Sequence, residues 1–137
     1  MLGMAHHLES IISGIVCGII LLQTSVIAPS VFKYLDQNQT RDLLRAIFPK
    51  FFLYIIFLGT LSLIISLVNQ IKIDGQIIIG TITVMLSLLC YLIIPATNEA
   101  KDKNNQNRFK LLHKVSVIST VIILVTNLSS VFFQFII

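Results

Sequence analysis

The sequence predicts an all-α fold in which four transmembrane helices form one bundle as a single domain. Two observations predict it. The first is composition. The 137 residues are 55% hydrophobic and 12% charged, with a mean hydropathy of +0.91, whereas a soluble domain carries about 25% charged residues. The second is where the charges fall. Uncharged apolar blocks of 23, 21, 24 and 23 residues separate Glu9 from Lys33, Lys50 from Lys72, Asp74 from Glu99, and Lys114 from the end of the sequence. About 20 apolar residues in a helix span the hydrocarbon core. Lipid gives backbone groups no outside partner, so each block is a helix or a strand of a closed barrel. Barrel strands have about 10 residues and alternate in polarity. These blocks are twice as long and do not alternate. The pattern excludes a nucleic-acid binder, an extramembrane enzyme domain and a disulfide-stapled secreted fold.

Span one is predicted over residues 10–32. The segment before it contains His6, His7 and Glu9 but no Lys or Arg, unlike the start of a signal peptide. Nor does Ile15-Val16-Cys17 resemble a lipoprotein cleavage site, so a permanent span is expected. Gly14, Gly18, Ser25 and Ala28 share one face. Gly14 and Gly18 form a Gly-x-x-x-Gly pair, a spacing that lets helices approach closely in lipid. They are the expected helix-packing positions, first against a neighbour in the same chain and second against another copy. Next comes a predicted interfacial helix over 40–48. It buries Leu43, Leu44, Ile47 and Phe48, leaves Arg41, Asp42 and Arg45 wet, and takes Thr40 as N-cap.

Span two is predicted over 51–71, with Gly59, Ser62, Ser66 and Asn69 on one face. A short turn at 72–74 leads to span three over 76–95, where Gln76, Gly80, Thr83, Ser87 and Tyr91 share a face. Pro29 and Pro95 are expected to close spans one and three, since proline ends helices. The polar connector 98–106 reads as a solvated turn, with a helix restarting near Arg108. Span four is predicted over 115–137. His113, Ser116, Thr120, Asn127, Ser130 and Gln134 form a stripe along it. Unpaired polar groups do not face lipid, so the stripe faces either the other helices or a hydrated path.

Nine of the ten Lys and Arg residues lie in the connectors after spans one and three, and only Lys72 lies elsewhere. The positive-inside rule then makes those connectors cytoplasmic. The expectation is a multi-pass protein of the bacterial inner membrane with both termini outside the cytoplasm. The two hairpins share an orientation. This admits a parallel repeat, and equally any four-span chain with its connectors on one side.

No Asp, Glu, Lys or Arg falls inside a predicted span, which argues against ion-coupled transport. At 1.5 Å per residue, His7 and His113 lie about 20 Å on either side of the midplane and cannot share a metal or a haem. Cys17 and Cys90 differ by about 10 Å in depth, too far for a disulfide, so free thiols are expected. His6, His7, Met1 and Met4 read first as an exposed N-terminal cluster and second as a soft-metal site at the outer surface. No Ser/His/Asp set, phosphate-cradling loop or paired carboxylate is present. The chain is therefore expected to be non-enzymatic, with no metal and no cofactor. Its partners are the lipid bilayer and a homo-oligomer or membrane-complex partner, with no nucleic acid.

Two function classes remain: small-solute or ligand binding and transport within the bundle, or a non-catalytic accessory or assembly subunit of a larger membrane complex. A cytoplasm-facing cavity lined by span four would favour the first. A lipid-exposed small-residue face on span one without such a cavity would favour the second. For the first, the expected ligand-binding residues are Asn98, His113, Ser116, Thr120 and Asn127. Asn98 and His113 are expected to meet beneath the bundle. The alternative for His113 is a place among Lys110 and Lys114 at the lipid phosphates.

Several short motifs resemble a family. They are Gly18, Ala28-Pro29-Ser30-Val31-Phe32 with Leu35, Phe48-Pro49-Lys50-Phe51-Phe52, Pro95-Ala96-Thr97-Asn98, and Phe109 with Leu112-His113 and Ser116. They resemble a bacterial family of four-helix membrane proteins known as a domain of unknown function (number 4149), similar to the transmembrane protein 205 family. The resemblance covers nearly the whole chain. The family often has an Asn early in its last helix, where this chain reads Ser119-Thr120 and the nearest Asn is Asn127. The resemblance implies an integral membrane location and no established reaction. Its motif residues Pro29, Phe32, Pro49, Pro95, Asn98 and His113 gather at the cytoplasmic ends, which suits either helix capping or a headgroup or ligand site.

Overall fold

The computed structural model of the protein describes residues 2–69 and 75–136. Helix α1 covers Leu2–Leu22, a π-helical turn Gln23–Ile27, α2 Ala28–Tyr34, α3 Gln37–Val68, α4 Gly75–Asp102 and α5 Gln106–Ile136. No strand occurs among the described residues. The first three segments run on as one rod, so the chain has four rods, each long and apolar enough to cross a membrane. The fold is an all-α transmembrane four-helix bundle. The rods close a ring in which α3 packs on α4, α4 on α5, α5 on α1 and α1 on α3. One end of the bundle carries the start of α1 and the end of α5. We call this the terminal end, and the opposite one the connector end. The turn expected at 72–74 and the stripe residue Gln134 lie outside the residues whose side chains are described.

The helices overrun their predicted limits. α1 begins at Leu2, which takes Glu9 inside the first rod. Pro29 does not end that rod. It has no N–H to offer and crowds the carbonyl four residues back, and the π turn just before it absorbs the conflict with one extra residue. The Ala28 N–H bonds Gln23 O, and the Thr24 hydroxyl donates to Ile20 O at 2.8 Å. The interfacial helix expected at 40–48 is instead the opening of α3, continuous through Pro49. Its N-cap is Asp36, not Thr40. Asp36 accepts from the Gln39 N–H at 2.8 Å, and Gln39 Oε1 accepts from the Asp36 N–H at 3.3 Å, a reciprocal box. Thr40 lies within the helix, its hydroxyl 3.5 Å from Val31 O. α4 likewise runs through Pro95. The extensions of α3 and α4 hold each other, since Arg45 Nη2 donates to Asp102 Oδ1 at 2.5 Å and to Asn98 O at 3.4 Å.

The polar side chains fix how each rod is rotated. In lipid there is no hydrophobic effect to bury apolar faces, so groups that need hydrogen bonds turn inward. On the first rod Glu9, Ser13 and Gln23 are buried on one side, together with Val16 and Ile20. Gly14 and Gly18 stand two positions from Val16, about 200° around the helix. Both are exposed, and a Cβ at either would meet nothing within 4 Å. The within-chain contact expected at these glycines is therefore not made. Close approach occurs instead between α3 and α4. A Cβ on Gly59 would lie 3.0 Å from Thr83 Cγ2, and one on Gly80 would lie 2.9 Å from Leu63 Cγ.

The interior divides by chemistry. Toward the connector end it is apolar, with Val16, Ile20, Phe51, Phe52, Ile55 and Ile123 in one cluster. Toward the terminal end it is polar, with Glu9, Ser13, Ser62, Ser66, Gln76, Thr83, Asn127 and Ser130 all buried. The outer flanks carry Ile11, Ile15, Phe57, Ile64, Ile78, Met85, Val121 and Val125. These are surfaces that lipid solvates. Cys17 and Cys90 are free and buried.

Candidate functional site

The polar half is built from one pair of polar residues per helix at helical spacing. Glu9 and Ser13 lie four apart on α1, Ser62 and Ser66 four apart on α3, Gln76 and Thr83 seven apart on α4, and Asn127 and Ser130 three apart on α5. Each pair shares a face, and all eight side chains converge. Gln76 joins the four rods through a single amide. Its Nε2 donates to Ser13 Oγ at 3.3 Å and to Ser62 Oγ at 3.2 Å, and its Oε1 accepts from Ser130 Oγ at 2.5 Å. One layer further in, Asn127 Nδ2 donates to Thr83 Oγ1 at 2.9 Å and to Ile123 O at 2.8 Å.

Glu9 lies at the terminal edge of this network and is fully buried. The Ser66 hydroxyl donates to Glu9 Oε1 at 2.5 Å. Glu9 Oε2 is buried with no hydrogen-bond partner, and His6 Nδ1 lies 3.6 Å away. A carboxyl group sealed from water is costly unless it is paired or neutral. A half-open pocket of about 180 Å³ sits one helical turn from Glu9. It lies between α1 and α3, lined by Met4, Ala5, Leu8, Ile65 and Asn69. The second buried atom with no partner among the described residues, Gln23 Nε2, is also on the first rod, in the π turn at the far end.

The expected ligand residues do not form one site. Asn127 belongs to the polar network. Ser116 and Thr120 are half-buried, and the Thr120 hydroxyl bonds back to Ser116 O at 2.8 Å. Asn98 is half-buried and engaged through its backbone carbonyl with Arg45. His113 is exposed and stacks on Phe109, ring centroids 5.8 Å apart. Lys101 Nζ lies 4.9 Å from the centroid of the same Phe109 ring. His113 and Asn98 thus engage different partners, Phe109 and Arg45. Two physical facts account for this. α4 and α5 continue as helices past the expected span ends, and His113 turns outward among the lysines. Of the polar stripe of α5, Asn127 and Ser130 bond to other helices and Thr120 bonds to a carbonyl of its own helix.

The residue that sequence reasoning missed is Glu9. Its charge marked it as a boundary, although Glu9, Ser13, Val16 and Ile20 continue one face at spacings of three and four. That periodicity, with His6 three residues earlier, was the signal. Similarly, Ser62, Ser66, Gln76, Thr83 and Ser130 were assigned to inward faces but not to a shared site.

Among known families, the model described as Domain of unknown function (DUF4149) matches residues 11–106. The matched segment holds Ser13, Ser62, Ser66, Gln76 and Thr83, and Glu9 stands two residues before it. No curated protein and no solved structure gave a match to the chain.

Proposed function

The chain belongs to the DUF4149 family of membrane domains, and we propose that it binds a small polar solute in the terminal half of its bundle, as a step in moving that solute across the membrane. The observation that carries this reading is Glu9 Oε2, a buried carboxyl oxygen with no hydrogen-bond partner among the described residues and only His6 Nδ1, at 3.6 Å, recorded as an ion-pair contact. Ionisable groups at membrane depth are expensive and mark ligand or ion pathways by default. The division of the interior supports it. Hydroxyls and amides reach inward from the terminal end, and Phe51, Phe52 and Ile55 close the connector end. With nine of ten basic residues on the connectors, that end faces the cytoplasm of a bacterial inner membrane and the polar half opens outward. The role is one of binding, without catalysis.

The test is thermal stability of the detergent-solubilised protein across a panel of small amines, amino acids and sugars, in the parent and in Glu9→Gln. A solute at one hundred times its Kd stabilises by about 2.7 kcal/mol, and that gain should vanish in Glu9→Gln. If no solute distinguishes the two proteins, the reading is wrong.

A second reading, an accessory or assembly subunit, is favoured by the open face at Gly14 and Gly18. It expects Gly14→Leu to abolish co-purification with a membrane partner or a second copy while the bundle itself remains folded. Unchanged association removes it.

A further inference from the structure

We infer that Glu9 and His6 together form a proton-binding site at the terminal end, which makes the proton the ion that accompanies the solute. The inference rests on the solute-binding reading for its role, but its chemistry stands on the pair itself. Glu9 has no exposed surface, while the His6 side chain is 39% exposed. The imidazole thus joins the surface to a sealed oxygen. With Oε1 occupied by the Ser66 hydroxyl, Oε2 is the free position, 3.6 Å from Nδ1.

Among the described residues, the groups that the other helices set around the pair are uncharged. α3 presents Ser62 and Ser66 to this region, α4 presents Gln76 and α5 presents Ser130. None of these titrates. His7 is exposed, and Lys72 and Asp74 lie outside the described residues. A lone buried carboxylate would be penalised by several kcal/mol, so the pair holds at least one proton. That proton sits either on the imidazole, facing a carboxylate, or on Oε2, beside a neutral imidazole. Passage between the states moves one H⁺ from Nδ1 to Oε2, breaking one N–H bond and forming one O–H bond with no change in total charge. The exposed imidazole then accepts the next proton from the surface.

The test is infrared difference spectroscopy of the full-length protein in liposomes, stepped between about pH 5 and 8, with no solute present. The expected result is a protonated-carboxyl band that changes with pH, is lost in Glu9→Gln, and loses its pH step in His6→Gln. Glu9→Gln keeps an acceptor for Ser66, and His6 is half-exposed, so at least the second variant retains the fold. Identical difference spectra in the parent and both variants would overturn the inference. Solute binding that persists without this titration defeats the proton site alone. Titration without any solute-induced stabilisation defeats the solute reading alone.

Discussion

The same substitution, glutamine to leucine, should have opposite effects at two buried positions. Gln76 and Gln23 are both more than nine-tenths buried. Gln76 makes one hydrogen bond to each of the other three rods. Bonds between membrane helices average about 0.6 kcal/mol and reach about 1.7. Gln76→Leu should therefore cost about 2 kcal/mol and at most about 5. The Ser130 hydroxyl can recover part of this by bonding its own helix, as Ser129 does with Val125 O. Gln23→Leu removes an amide nitrogen that has no partner among the described residues. An unmet buried donor costs about 1–3 kcal/mol, so its removal should stabilise by about 1 kcal/mol. For a chain near this size, 1 kcal/mol moves Tm by about 3 °C. Thermal denaturation in a mild detergent should show Gln76→Leu lower by about 6 °C or more and Gln23→Leu higher by about 3 °C. Shifts of the same sign would refute the reasoning. A Gln23→Leu loss as large as that of Gln76→Leu would mean that Gln23 Nε2 holds a partner of comparable strength.

The remaining predictions concern helix contacts and orientation. Gly80→Ala should destabilise by about 1–3 kcal/mol, as overpacking does, because its Cβ would strike Leu63. Gly14→Ala should be neutral or gain up to about 1 kcal/mol in the isolated chain, and thermal melts of the two variants check both. Asn127→Leu and Thr83→Val should each cost about 1 kcal/mol. The double variant should cost less than their sum, since one bond links them, and an additive double-mutant cycle would contradict that. A membrane-impermeant thiol reagent applied from outside should label a cysteine placed at Gly75 and spare one placed at Asn104. The reverse pattern would invert the proposed orientation.

The number, class and inward faces of the helices were legible because lipid turns them into simple rules. Long uncharged runs must be helices, and polar residues within them must face protein. Gly59, Ser62 and Ser66 on α3, and Gln76, Gly80, Thr83 and Ser87 on α4, are buried as their spacing requires. Boundaries were less legible. A charge was taken as an end, yet Glu9 is accommodated by Ser66 at a distance of 57 residues in sequence. A proline was taken as a stop, yet Pro29, Pro49 and Pro95 all lie inside continuous rods. In each case a contact made elsewhere in the fold decided the outcome. The candidate site moved to the opposite end for a related reason. Asn98 and His113 stand out through polarity at helix ends, where Arg45 engages the Asn98 carbonyl and His113 stacks on Phe109. A carboxyl group with an unmet oxygen is detectable only once its neighbours are known.

Glycine usage and unmet polar atoms point to the same helix. α3 and α4 meet at Gly59 and Gly80, where a Cβ on either glycine would lie about 3 Å from the facing side chain, and α4 packs on α5. The first rod instead turns its glycines outward and seats on α3 and α5 through larger side chains. It carries both buried atoms that lack hydrogen-bond partners among the described residues, Glu9 Oε2 and Gln23 Nε2, and the π turn that absorbs an extra residue. Such turns recur at functional sites. Close backbone packing resists displacement, because interiors at native density cannot deform gradually. A rod held by side chains alone, with unmet groups at both ends, is the part of the bundle that can gain bonds by shifting. If solute or proton binding moves anything, the physical argument places that movement in the first rod against a fixed α3–α4–α5 frame. Spin labels at Ile15 and Phe57, both on the outer surface, should then change their separation on acidification, while labels at Phe57 and Met85 keep theirs. A change confined to the second pair would place the moving part in the frame instead.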